Sequence, residues 1–120
     1  MQLRRSKKNF KSWVEISKIA LLRNLEVFRK ITSGKTKILC VVKANAYGHG
    51  LAEIAKILST KADWFGVDNI DEALIIRRLK IKKPLLVLGY IPFESLKEAI
   101  ENDISLTIYN QQHLRGILSL

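Results

Sequence analysis

From Ile38 onward the chain alternates between short apolar runs and stretches in which apolar residues recur every three or four positions. Ile38-Leu39-Cys40-Val41-Val42 is apolar at every position, the pattern of a parallel-sheet strand covered on both faces. Residues 50–59 then place Leu51, Ile54, Ala55 and Leu58 on one side, which predicts an amphipathic helix. The same pair of patterns returns three more times: a strand over 64–67 with a helix over about 71–79, a strand over 85–88 with a helix over about 93–100, and a strand over 105–108 with a last helix carrying Leu114, Ile117 and Leu118. Pro92 sits well just before the first turn of the third of these helices, and Asn110 is placed to cap the last. Upstream, residues 12–16 alternate as a short strand would, with Trp13 and Glu15 on one face and Val14 and Ile16 on the other. Ser17 is an N-cap position for a helix over 18–31 with a stripe of Leu21, Leu22, Leu25 and Phe28. Thr32-Ser33-Gly34 ends it, with Gly34 expected as the left-handed residue.

Strand and helix alternating at this spacing is the signature of parallel βα units, and four are present. Four units fit an open parallel sheet or half of an eight-stranded barrel, and periodicity does not separate the two. A closed barrel takes about 250 residues. The barrel reading makes this chain the first half, preceded by a short strand and helix, with two raw sheet edges that invite pairing.

Composition narrows the class. A chain of 120 residues, 48% hydrophobic, is one globular domain with an ordinary core. Its apolar runs fall far short of the ~20 residues that span a bilayer, and the basic start of the chain has no apolar segment behind it, so a cytoplasmic protein without membrane association is expected. The net charge of +10 raises nucleic acid as a partner. Outside a basic arm over residues 1–11, however, the charges occur singly or in pairs (Arg29-Lys30, Arg77-Arg78, Lys82-Lys83) with no aromatic platform among them. That distribution favours solvated helix faces over specific nucleic-acid binding. The single cysteine, Cys40, lies mid-strand and reads as a small buried hydrophobe.

Lys43 is the residue that asks for chemistry. It ends an apolar strand and opens Ala44-Asn45-Ala46-Tyr47-Gly48-His49-Gly50. Inside the strand an unpaired ammonium would cost several kcal/mol, roughly, on burial; at the strand's carboxyl end it can face a ligand. Strand alternation puts Lys43 on the face of Leu39 and Val41, with Cys40 and Val42 directed to the helices. In a barrel that is the interior face at the end where active sites lie. A lysine amine is a nucleophile toward aldehydes and carries pyridoxal phosphate as a Schiff base. Tyr47, four residues on, offers a hydroxyl to an anion. The competing reading is a tight strand-to-helix turn at Gly48 to Gly50 with Lys43 turned to solvent, and spacing alone weighs the two equally.

Val42-Lys43-Ala44-Asn45-Ala46-Tyr47-Gly48-His49-Gly50 resembles, almost letter for letter, the cofactor-attachment motif of the alanine racemases. Trp13-Val14-Glu15-Ile16 with Leu22, Asn24 and Leu25 is similar to that family's opening strand and helix. Phe65-Gly66-Val67, Glu72-Ala73, Arg77-Arg78-Leu79 and Pro84 to Gly89 resemble its second and third barrel units. The resemblance implies an isomerase that interconverts L- and D-alanine for bacterial peptidoglycan. It implies pyridoxal 5'-phosphate as cofactor, held by Lys43 as an internal aldimine, with Tyr47 on its phosphate and no metal. Lys43 is then also a base on one face of Cα. Asn45 and His49 are expected to be structural. By the family pattern residues 12–120 are a partial N-terminal barrel domain, the enzyme is a homodimer, and the second base is a tyrosine from a C-terminal β domain of the partner. Strands five to eight and that β domain have no counterpart in these residues. Asp68 stands where the family more often has a small residue and Lys80 where it usually has glycine, and neither is expected to touch the site. The alternatives are a non-catalytic pyridoxal-phosphate-binding barrel protein and a residual truncated gene product.

Overall fold

The computed structural model describes residues 10–120, so most of the basic arm, residues 1–9, lies outside the described residues. In order the chain forms α1 (Lys18–Ile31), β1 (Leu39–Val41), a short turn of helix α2 (Lys43–Tyr47), α3 (Leu51–Leu58), β2 (Trp64–Val67), α4 (Ile70–Arg78), β3 (Leu85–Val87), a 3-10 turn (Phe93–Ser95), α5 (Leu96–Glu101), β4 (Ser105–Leu106) and α6 (Gln111–Leu118). The four strands form one parallel sheet in the order β1-β2-β3-β4. A doubly wound sheet reverses direction partway along its order, whereas here every crossover advances by one strand the same way, as in a barrel.

Burial follows from that order. Cys40, Val42, Phe65, Val67, Leu85 and Val87 share one face of the sheet, and all but the half-buried Cys40 are buried in the core with Ile54, Ala55, Leu58, Ala73, Ile76, Leu96 and Ala99 of the helices. The other face, carrying Leu39, Val41 and Leu86, is more open: Val41 is 37% exposed where its neighbour Val42 is 1%. This is the strand alternation expected from the sequence, and it makes Val41 and Lys43 inner-face positions. Gly66 belongs to that inner face too, and a Cβ there would stand 2.6 Å from Leu39 Cδ2.

The caps explain where the helices begin. Ser17 Oγ accepts from the Ala20 N–H, and Asn110 Oδ1 accepts from the His113 N–H, so both expected N-caps are formed. Three details differ from the sequence reading. Residues 12–16 form no strand among the described residues, with Trp13 and Val14 largely exposed, because alternation makes a strand only where a partner edge supplies hydrogen bonds. At the end of α1, Gly34 is left-handed as expected (φ 74°), but Ser33 before it is left-handed too (φ 51°), in a paired closure of Ser33 N–H on Lys30 O and Gly34 N–H on Arg29 O. The third βα unit enters its helix through the 3-10 turn.

Two arginines tie elements together. Arg29 of α1 donates to Asp63 Oδ2 at 2.6 Å and to the Lys61 carbonyl, while the same carboxylate oxygen accepts the Ile38 N–H at 2.8 Å. The Ile38 amide first, and then the Arg29 guanidinium, hold the Asp63 carboxyl below its ordinary value. Arg77 of α4 spends its whole fork on carbonyls, those of Asn102, Ile81, Lys83 and Asp103, all within 2.7–2.9 Å.

Candidate functional site at the carboxyl ends of the strands

Strand register brings the loops that follow β1 and β2 to the same height. Val41 is paired with Gly66, so two residues further on Lys43 stands opposite Asp68. Lys43 Nζ and Asp68 Oδ1 are 3.3 Å apart, with the two side chains 39% and 52% exposed. A pair that open to water contributes little to stability, at most about 1 kcal/mol. Its interest is placement: the amine is at the sheet's carboxyl edge, accessible, and beside an anion. This corrects the expectation that Asp68 lies away from the site.

The chain leaves Lys43 in an uncommon way. Ala44, Asn45, Ala46 and Tyr47 have φ between 51° and 54° and so make a left-handed turn without a glycine. For residues with a Cβ that conformation costs on the order of 1–2 kcal/mol each, so it persists only where the surroundings impose it. Several bonds do so. The Ala46 N–H reaches Val42 O at 2.8 Å, and the Gly50 N–H reaches Asn45 O at 2.9 Å. Asn45 Oδ1 accepts the Leu51 N–H that opens α3, and His49 Nδ1 lies 2.9 Å from Ala46 O. Asn45 and His49 thus serve the turn, as expected from sequence. Ala46 is buried in the core beneath it. Gly48 and Gly50, at φ 87° and 97°, carry the chain out of the turn into α3 at angles that suit glycine.

A carboxylate missed by the sequence reading completes the arrangement. Glu72, in the first turn of α4, accepts the Ala44 N–H on Oε1 at 2.7 Å and the Asp68 N–H on Oε2 at 2.9 Å. The missed signal was the strand alignment, which puts the start of α4 beside the residue after Lys43. The Asp68 carbonyl in turn accepts the Gly89 N–H at 2.9 Å, and a Cβ on Gly89 would collide with it. Tyr47, at the far end of the turn, is 61% exposed. It shares one short segment with Lys43, and no hydrogen bond joins the two among the described residues. Tyr47 lines a cleft of about 370 Å³ together with residues including Ser17, Leu21, Asn24, Val41 and His49.

Other candidates separate from this cluster. Burial pushes the Cys40 thiol up, which suits the small-hydrophobe reading. Lys80 has φ 61° in the closure of α4, the backbone reason a glycine would be at home there, and it lies in the connection that enters β3 at its amino end, whereas Lys43 follows the carboxyl end of β1. His113 is 2% exposed, flanked by the rings of Tyr90 and Phe93 at 5.6 Å, and neither ring nitrogen has a hydrogen-bond partner among the described residues.

The family described as alanine racemase, N-terminal domain, matches residues 16–120. The chain is similar to the alanine racemase of Methanococcus maripaludis, 44% identical over 106 residues that cover 88% of this chain and 28% of that protein. It is 42% identical over 100 residues to the serine/alanine racemase of Enterococcus gallinarum, covering 82% of this chain and 14% of that one. Among solved structures, alanine racemase of Clostridium difficile in complex with cycloserine superposes with a TM-score of 0.88 at 35% identity, over 92% of this chain and 31% of that chain. The chain therefore spans under a third of the length of these relatives.

Proposed function

The chain belongs to the alanine racemase family through that family's N-terminal domain, and on this premise we propose that it supplies the cofactor lysine of a cytoplasmic, homodimeric amino-acid racemase acting on alanine for peptidoglycan. The observation that carries the proposal is Lys43 itself, an accessible amine on the inner face of the sheet at its carboxyl edge, inside the family's motif. Residues 12–120 then constitute the first half of the barrel domain.

The donor set suits pyridoxal 5'-phosphate: a lysine amine for its aldehyde and, a few residues away, an exposed tyrosine hydroxyl for a phosphate oxygen. Lys43 and Tyr47 would hold it. When bound, the cofactor supplies an electron sink for the pair left on Cα as its proton departs. Lys43 Nζ, free of its covalent role, takes or returns that proton on its own face of Cα. Asp68 accepts a hydrogen bond from the amine and so steers it. Inversion needs a second base on the opposite face, which the family resemblance assigns to residues other than these.

The experiment is reconstitution with pyridoxal 5'-phosphate followed by visible spectroscopy of the chain and of Lys43→Ala. An absorbance band lost in the variant is expected, and an equal spectrum in both overturns the lysine assignment. D-Alanine formation by the 120 residues alone is expected to stay barely above buffer. L-Serine is assayed beside L-alanine, because one relative is named for both.

A further inference from the structure

Building on that reading of Lys43, we propose that Glu72 is the positioning residue of the lysine site: its carboxylate fastens the peptide after Lys43 to the β2–α4 loop and thereby sets the lysine amine against Asp68. The ordinary role of this glutamate would be local. Asn69 caps α4 by accepting the Glu72 N–H, and in an Asn-x-x-Glu arrangement the glutamate returns to the cap's own N–H. Glu72 does something else. One oxygen takes the N–H of Asp68, a residue before the cap, and the other crosses to Ala44 on the neighbouring βα unit. Helix capping does not call for that second bond.

Ala44 is the first residue of the left-handed turn, and its N–H belongs to the peptide that begins at Lys43. A carboxylate on a backbone N–H is a charge-assisted bond, roughly twice as strong as a neutral one. It therefore opposes relaxation of the turn at the place where relaxation would swing the Lys43 side chain. Asp68 is held from the same point. Glu72 takes its N–H and Gly89 binds its carbonyl, so its carboxylate starts from a backbone fixed on both sides and reaches Lys43 Nζ at 3.3 Å. Lys43 is thus held at its backbone through Glu72 and at its amine through Asp68.

The test compares the unaltered chain with Glu72→Ala and Glu72→Gln. Glutamine keeps the length but can accept only one of the two bonds, because its amide nitrogen would meet an N–H donor. Two quantities are read: amide hydrogen exchange at Ala44 and Asp68 by NMR, and the share of pyridoxal 5'-phosphate fixed on Lys43 after borohydride reduction, by mass spectrometry. Lys97, an exposed lysine of α5, is the internal reference. Both variants are expected to label Lys43 about tenfold less, with Lys97 unchanged; Glu72→Ala is expected to exchange Ala44 at least tenfold faster, and Glu72→Gln to do so at whichever of Ala44 and Asp68 loses its acceptor. A folded Glu72→Ala chain that keeps both values overturns the proposal. Should that variant fail to fold, a Glu72→Gln chain that leaves Lys43 labelling and the exchange of both Ala44 and Asp68 unchanged overturns it equally. If the unaltered chain shows no preference for Lys43, the cofactor reading fails, and the Ala44 exchange still decides the role of Glu72.

Discussion

Single residues in this fold can be judged by whether their local chemistry agrees with their place. Lys80 does not: its φ of 61° burdens a side chain with a conformation that glycine adopts freely. Lys80→Gly is expected to raise stability by about 0.5–1 kcal/mol, the relief of strain being partly offset by the freer unfolded chain. Thermal unfolding of the pair measures it. His113 is a second disagreement, since its two buried ring nitrogens have no partner among the described residues. His113→Leu should stabilise the chain by about 1–2 kcal/mol, because it removes polar atoms whose desolvation nothing offsets. A lower midpoint in urea would show instead that the ring's contacts with Tyr90 and Phe93 outweigh that loss. Asp68 was visible in the sequence only as a departure from the family pattern; its meeting with Lys43 required the register of two strands 25 residues apart in the chain.

At the scale of elements, periodicity read most of the molecule. β2 occupies 64–67 as expected, and β1 and α4 fall within a residue of their expected bounds, because an apolar run and a 3.6-residue stripe each report the face that must be buried. The left-handed turn after Lys43 was not legible. Local preference opposes four such residues in a row, and bonds from Glu72, Asn45 and His49, with the burial of Ala46, offset that cost. Arg77 teaches the same lesson. As one of an adjacent arginine pair it read as solvated surface, yet it joins α4 to the segments before β3 and β4 through four carbonyls. Lysine has no fork to replace it. Arg77→Lys is expected to cost about 2–4 kcal/mol in urea unfolding while leaving helix content unchanged.

For the whole molecule, the Arg29–Asp63 pair is what joins α1 to the amino ends of the strands. The folded Asp63 carboxyl is held below its ordinary value of 3.8, so its contribution is fully present above that pH and is lost as pH falls through the folded value. Asp63→Asn should lower the unfolding temperature most above about pH 5, and the two proteins should converge in stronger acid. A difference that stayed constant down to pH 2 would remove Asp63 from the acid response. The sequence by itself determined the βα units, the face each element buries and the lysine at the end of β1, because these follow from patterns only a few residues long. The tertiary structure decided the β1-β2-β3-β4 order that points to a barrel, the absence of a strand over 12–16 among the described residues, and the carboxylates around Lys43. Those depend on which distant segments become neighbours, and no local pattern records it.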